Sequence, residues 1–378
     1  MLQLLGLLIY ETVRLLWTWD QTDFITRLWL GSMRINVVVT KVFQAVAVRY
    51  LGRSLQVNID RVPFTQDEID IPHVEGVEVG EVIGSGMVAV VFEGTSEKGP
   101  VVLKIKRRHI AARIEKGLRD ARIVLAVMHW CPGFGSLGLD TIHGEVQDLL
   151  LGQLDFEQEV QNQIQFKEMN KSNKNIVVPN VYPDWCTPDM IVMEKLIGTR
   201  TPTNKTAAAD AIAAAIATSV VNGVVHADMH VGNVIFMDDK VGIIDFGLML
   251  RLSPSELHAY TSIFTAGILK QFRSAADKAL RFYMDPPGAM AQLPAITQLK
   301  LATDIADLYE SSTKVRKSFG VTEILSMAAL VRPYGLTIAP IFYKTMMSMA
   351  AGDLLMKDLT PEPLEFILAQ MALKLLSH

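Results

Sequence analysis

The hydrophobic rhythm of the chain changes in a definite order. Residues 1 to about 55 carry apolar positions at helical spacing. The passage "IDRVPFTQDEIDIPHVEG" is rich in Pro and Asp and suits a connection. "VEVGEVIGSGMVAVVFEGTSEKGPVVLKIK" then alternates and is dense in Val, which predicts three short antiparallel strands with turns at Gly84 to Gly86 and at "SEKG". Helical patterns continue through Lys171, followed by a short strand pair around "IVVPNVYPDW" and "DMIVMEKL". From residue 204 helices dominate, broken by "NVIFMDDKVGIIDFG", two apolar runs joined by Asp238-Asp239-Lys240. The Ala-rich stretch 206 to 221 reads as a buried helix, since alanine favours helix and allows close packing. No repeat of fixed period is present.

Composition narrows the function classes. At 378 residues the chain exceeds one average domain. Half its residues are hydrophobic and a fifth charged, as in a globular protein. A net charge of −4 gives no electrostatic reason to expect nucleic acid. The basic run "KIKRRHIAARIEKGLRDAR" is diluted by Glu115 and Asp120, lacks interleaved aromatics, and reads as a solvated helix face. Two cysteines, Cys131 and Cys186, cannot build a disulfide framework, which points to a reducing, intracellular setting. The apolar start "MLQLLGLLIYETVRLLWTW" is interrupted by Glu11 and Arg14, short of the roughly 20 residues a membrane span needs. It is expected either to pack on the body or to make peripheral membrane contact as an interfacial helix.

Two glycine-rich strings compete as phosphate loops. "GFGSLG", Gly133 to Gly138, follows a helical run and Pro132 rather than a strand, so it reads as a flexible loop. "GSGMVAVV" joins two predicted strands ahead of a lysine in a third, the arrangement of a kinase glycine loop, and offers Gly84, Ser85, Gly86, Ala89 and Val91 to a nucleotide. Glycines there let backbone approach phosphates, although a tight β-turn wants the same residues. Lys104 in "VVLKIK" stands where a kinase lysine neutralises phosphate charge, while Lys106 on the same face reads as solvent-facing. Its helical carboxylate partner is expected to be Glu159, with Glu157 the rival.

"HADMHVGNVIF", His226 to Phe236, could be a metal site, a turn or a catalytic loop. Histidines at i and i+4 bind zinc when they share a helix face, but this segment reads as a loop leading into a strand. The alternative is H-x-D-x-x-x-x-N followed, after a hairpin, by Asp245-Phe246-Gly247. In that arrangement Asp228 orients or deprotonates the nucleophile, and Asn233 and Asp245 are oxygen ligands for Mg2+ beside ATP.

At these motifs the sequence resembles the UbiB-like, or aarF-domain, atypical kinases. "NGVVHADMHVGN" is similar to that family's G-F-F-H-A-D-P-H-P-G-N, with Met229 and Val231 replacing two prolines. "QLDFEQEVQN" resembles its E-L-D-F-x-x-E-A-x-N, and "IVVPNVYPDWCTPDMIVMEKLIGTR" its approach to the hinge. The resemblance implies Met193 at the gatekeeper position and Glu194 to Leu196 at the adenine-binding hinge. It extends over roughly residues 35 to 365. The family's K-x-G-Q helix has its counterpart in "KVFQ", Lys41 to Gln44, with Phe43 in place of glycine. In the family that extension covers the active site and its lysine pairs with an E-x-D trio. Here the trio reads Gln153-Leu154-Asp155, which leaves Asp155 to pair with Lys41. Where the family's nucleotide loop is A-A-A-S-I-G-Q-V, this chain has the more kinase-like Gly84-Ser85-Gly86-Met87-Val88-Ala89-Val90-Val91.

The implied fold is α+β, a bilobal protein-kinase-like fold with a helical N-terminal extension at 1–70, an N-lobe with inserted helices at 71–198 and a helical C-lobe at 199–378. After the Asp-Phe-Gly turn, Ser253 is expected to cap a helix with Pro254 in its first turn and Glu256 closing a capping box. That leaves no room for the peptide platform of a protein kinase. The expected function is Mg2+-dependent ATP hydrolysis or phosphoryl transfer to a small or lipid-like molecule, linked in the family to ubiquinone or other isoprenoid-lipid metabolism. An ordinary protein kinase and a nucleotide-binding scaffold without turnover, such as a lipid chaperone, are the alternatives.

Overall fold

The computed structural model describes residues 64–129, 150–314, 321–339 and 355–362, with single positions and pairs outside these runs, among them Val62. The described residues fall into two compact units. Those up to Glu157, with Val181–Lys195, form the first; Gln158–Asn180 and the residues from Leu196 onward form the second. In chain order the elements that position the site are β1 (Val77–Ser85), β2 (Ala89–Ser96), β3 (Gly99–Lys106), α1 (Ile110–His129) and α2 (Phe156–Met169). They continue with β4 (Ile176–Val177), β5 (Met190–Glu194), α3 (Lys205–Val221), β6 (Val224–His226), β7 (Val234–Met237), β8 (Lys240–Ile243), β9 (Met249–Arg251) and α4 (Pro254–Ile268).

In the first unit the alternating Val-rich segment forms the three antiparallel strands that its pattern predicts, and β5 adds a fourth in the order β1-β2-β3-β5. Alternation decides which side is core. Val90, Phe92, Val101, Leu103, Ile105, Met190 and Val192 face one way and pack together with Val77. The segments around "IVVPNVYPDW" and "DMIVMEKL" meet only in a single antiparallel bridge, Val181 with Met193, where the Tyr182 amide donates to the Val192 carbonyl at 2.9 Å. β5 joins β3, whereas β4 runs parallel to β8 in a separate sheet of the second unit. The reason lies in composition: "MIVM" is apolar throughout and needs a buried slot, which the edge of the three-stranded sheet supplies.

In the second unit the Ala-rich stretch is the helix its composition predicts. Asn204 caps α3, its side chain accepting from the Ala207 amide at 3.1 Å. Ala208, Ala209, Ala211, Ile212, Ala213, Ala215 and Ala217 are buried. Their small side chains bring the helix close to the β4-β8-β7 sheet through Val234, Phe236, Val241 and Ile243. α4 begins at Pro254 with both halves of the capping box made between Ser253 and Glu256. Among the described residues, no helix is long and apolar enough to cross a membrane.

Candidate active site

In the first unit, a single row across the sheet carries part of the expected nucleotide site. Gly84 pairs with Val91, Val91 with Lys104, and Lys104 with Ile191. Directly opposed residues share a face, so Val91 and Lys104 project together, away from the core face. Val102 and its partner Met193 lie on that same face, two positions along. Glu194 ends β5 and is half-buried; Met193 is buried. The Lys104 ammonium lies 5.6 Å from the centroid of the Phe156 ring. Lys106 does not face solvent as its position suggested. It lies 4.8 Å from that ring and pairs with Asp189 at 2.9 Å, its side chain only 16% exposed.

The glycine loop is a two-residue hairpin. The Gly86 amide donates to the Ala89 carbonyl at 2.8 Å, which leaves Met87 and Val88 at the tip. Neither Gly84 nor Gly86 has a positive φ. A Cβ built on Gly84 meets only Val91, at 3.6 Å, and one on Gly86 only the Ala89 carbonyl, at 3.5 Å, both ordinary contacts. The turn therefore does not require either glycine, and the turn-only explanation loses its basis. Gly94 is different, since a Cβ there would sit 2.7 Å from the Glu78 carbonyl and 2.8 Å from Leu103 Cδ1. Ser85 is buried, its hydroxyl donating to the Val62 carbonyl and accepting from Arg107 at 2.8 Å. Its carbonyl is likewise spent, accepting the Val62 amide at 2.7 Å.

Arg107 escaped the sequence reading, which placed it in a solvated basic face. It is 2% exposed. The helix starts only at Ile110, and Arg107 continues the buried alternation of Val101, Leu103 and Ile105. That period was the signal available to find it. Burial lowers the pKa of its guanidinium, opposed by the Glu68 carboxylate that accepts from it at 2.6 Å. Other residues of the run, such as Arg108 and Arg119, are solvated as expected.

The second unit holds the catalytic-loop motif, and each backbone turn there is fixed by a named group. β6 delivers His226, which is buried, and pairs with β9. The imidazole Nε2 lies 2.8 Å from the Asp245 carbonyl, while Nδ1 accepts the Asp228 amide at 3.3 Å. With Nδ1 an acceptor, the ring is neutral and its proton sits on Nε2, and burial lowers its pKa in the same sense. Asn233, also buried, donates from Nδ2 to the Asp228 carbonyl at 2.9 Å. Its own carbonyl accepts the Ile244 amide at 3.1 Å, tying the loop to the end of β8. His230 Nε2 lies 3.7 Å from Asp228 Oδ1. From outside the motif, Arg200 donates to the carbonyls of Gly232 and Val234 at 2.7 and 2.8 Å, a clamp that the sequence reading also missed.

The Asp-Phe-Gly turn is held from below by rings. Phe246 is fully buried between Phe166 of α2, centroids 5.2 Å apart, and His226, 5.8 Å apart. Asn162 donates to the Phe246 carbonyl at 3.0 Å. Asp245 Oδ1 accepts the Gly247 amide at 3.0 Å. A Cβ on Gly247 would lie 3.2 Å from Glu159 Oε2 and 3.3 Å from Asp245 Oδ1, so both carboxylates approach this glycine. Glu159 is buried whereas its rival Glu157 is exposed. Leu196, also buried, packs at Gly242 of β8. Gln153 is half-buried and Asp155 exposed in the first unit; Lys41 and Gln44, expected against them, lie outside the described residues. Most of the apolar start and the "GFGSLG" string do as well.

The described residues contain no group of three or more His, Cys, Asp or Glu able to hold a metal. Mg2+ binds through one or two protein oxygens and completes its shell with phosphates and water. With Asn233 Nδ2 spent on the loop, Oδ1 is the atom that this residue offers, and Asp245 offers a carboxylate.

A four-stranded sheet with a glycine hairpin and a strand lysine, and a loop of His226, Asp228 and Asn233 joined by a hairpin to Asp-Phe-Gly, define an α+β kinase-like protein. The signature of the ABC1 atypical kinase-like domain matches residues 80–279, and the chain belongs to that family. The "Probable protein kinase UbiB" of Cronobacter sakazakii is 27% identical over 200 residues, 47% of this chain and 35% of that protein. The "Uncharacterized protein MT0675" of Mycobacterium tuberculosis is 27% identical over 257 residues, 60% of this chain and 52% of that one. The matches thus span about a third to a half of these relatives' length. A solved complex of Rv3197 with erythromycin from Mycobacterium tuberculosis matches over 92% of this chain and 88% of that chain, at 16% identity and a TM-score of 0.45.

Proposed function

We propose that this chain binds ATP with Mg2+ and turns it over, by hydrolysis or by phosphoryl transfer to a small or lipid-like acceptor of the isoprenoid or ubiquinone type. The observation that carries this reading is the closed network of the catalytic loop. His226 and Asn233 spend their hydrogen bonds on the backbone of Asp245 and Asp228. The side chains of Asp228, Asn233 and Asp245 are thereby presented from one rigid loop–hairpin–turn. Asn233 Oδ1 and the Asp245 carboxylate would hold Mg2+, which would offset the charge of the phosphates. Asp228 orients the attacking hydroxyl or water and accepts its proton. Lys104 and the bare backbone at Gly84 and Gly86 meet the phosphates, and Met193, Glu194 and Leu196 the adenine.

Thermal shift with ATP and Mg2+ tests the metal half of this reading. Asp245→Asn is expected to abolish the Mg2+-dependent stabilisation while leaving the nucleotide-free melting temperature near that of the wild type. An undiminished shift would remove Asp245 from the site.

The early start of α4 favours a non-peptide acceptor, because a capped helix occupies the chain from Pro254 onward. Generic peptides are expected to stay unphosphorylated and anionic liposomes to stimulate turnover. Phosphate found on a peptide would instead favour the protein-kinase reading. ATP bound tightly but never consumed would favour a scaffold.

A further inference from the structure

We infer that Arg107 and Glu68 are a positioning pair that presets the glycine hairpin for phosphate binding, an inference that rests on the nucleotide reading of that hairpin. Three bonds reach the loop from this one residue, and a fourth ties it to Val62. Arg107 Nε donates to the Gly86 carbonyl at 3.1 Å, NH2 to Ser85 Oγ at 2.8 Å and to the Val62 carbonyl at 2.9 Å, and its backbone amide to the Val88 carbonyl at 2.8 Å. The guanidinium thus holds the hairpin from its core side. The carbonyls of Gly86 and Val88 are drawn toward Arg107. Among the described residues, the amides of Met87 and Val88 at the tip meet no hydrogen-bond partner. A hairpin whose carbonyls are drawn back and whose tip amides remain available is an anion-binding arrangement.

Glu68 fixes the arginine in turn. Its two oxygens accept from Arg107 NH1 at 2.6 Å and from Arg113 NH1, in the first turn of α1, at 2.9 Å. Its carbonyl accepts the Arg108 amide at 2.6 Å. Phe64 closes the set, its ring centroid 5.7 Å from the guanidinium carbon. A short segment ahead of the sheet, Val62 to Glu68, therefore anchors a loop about twenty residues further on. A loop already in its bound shape pays no ordering cost when a phosphate arrives. Lysine cannot replace this fork, since it lacks the planar set of donors that reaches Gly86, Ser85, Val62 and Glu68 together.

The test compares Arg107→Lys, Glu68→Gln and Ser85→Ala, with Mg-ATP and adenosine as probes in calorimetry and hydrogen exchange followed on the peptide covering residues 84–91. A positioning role predicts that Mg-ATP binding weakens about tenfold or more in Arg107→Lys, while adenosine binding, which does not use the hairpin, stays unchanged. Exchange at 84–91 should accelerate while that of β3 and β5 holds. Equal weakening toward both probes, or exchange at 84–91 identical to wild type, would overturn it. Should Arg107→Lys or Glu68→Gln fail to fold, Ser85→Ala, which removes one hydroxyl and its two bonds to Val62 and Arg107, carries the same two readouts. If the wild type binds no Mg-ATP, the nucleotide reading fails, and hydrogen exchange decides separately whether Arg107 holds the hairpin.

Discussion

The glycine hairpin and the catalytic loop are both tight turns at the ends of strands, yet they are held in opposite ways. The hairpin is fixed by one buried cation reaching in from just past the end of β3, and its tip carries amides with no partner among the described residues. The catalytic loop is fixed chiefly by its own side chains, His226 and Asn233, over a floor of Phe166 and Phe246, with Arg200 gripping only its far end at Gly232 and Val234. In the hairpin, then, the residues that would touch ligand are separate from those that hold the shape. In the catalytic loop the two sets interleave, and Asp228 is the motif residue whose side chain a substitution can test with least damage to the floor.

The largest expected effect tests that separation directly. Asp228→Asn should lower turnover by about 100- to 10,000-fold, the usual loss of a positioned base, while circular dichroism and the melting temperature stay near wild type. Unchanged turnover would place the base elsewhere. Phe246→Ala attacks the floor instead. Removing a fully buried ring packed on Phe166 and His226 should cost about 3–5 kcal/mol in urea unfolding. A loss below about 1 kcal/mol would mean that the rings are not what holds the turn.

Glycines sharpen the other side of the comparison. Gly94→Ala collides with the Glu78 carbonyl and Leu103, and should destabilise by about 1–3 kcal/mol. Gly84→Ala meets only ordinary contact and should stay within about 0.5 kcal/mol of wild type while weakening Mg-ATP binding. If Gly84→Ala binds Mg-ATP as well as wild type, the bare backbone there has no ligand role.

The smallest expected effect concerns pH. His226 has its pKa lowered from 6.5 by burial, so the unfolded chain takes up the proton first. Its contribution to stability is therefore complete above about pH 6.5 and is lost as pH falls below it, at up to about 1.4 kcal/mol per pH unit. In His226→Asn, denaturant midpoints measured between pH 7 and 5 should decline less steeply. An equal decline would assign the acid sensitivity to other groups.

Much of this architecture could be read from the residue pattern. Alternation in "VVLKIK" and the order of glycine loop, lysine, H-x-D-x-x-x-x-N and Asp-Phe-Gly required no structure. The capping box at Ser253 and Glu256 is local chemistry and was equally plain. What stayed hidden depends on partners far apart in sequence. Nothing near "IVVPNVYPDW" says that β4 joins β8 while β5 joins β3. Lys106 read as solvent-facing because Asp189 and Phe156, which cover it, are distant in the chain. Arg107 was obscured by charged neighbours, although its place in the two-residue period put it on the core side. Arg200 gave no local sign of gripping the loop at Gly232.

The most direct test is release of ADP from Mg-ATP by the purified chain, measured beside Asp228→Asn and alongside calorimetric binding. The account predicts Mg2+-dependent turnover in the wild type, and in Asp228→Asn retained binding with turnover lost. Mg-ATP bound by both proteins with no ADP released by either would contradict it.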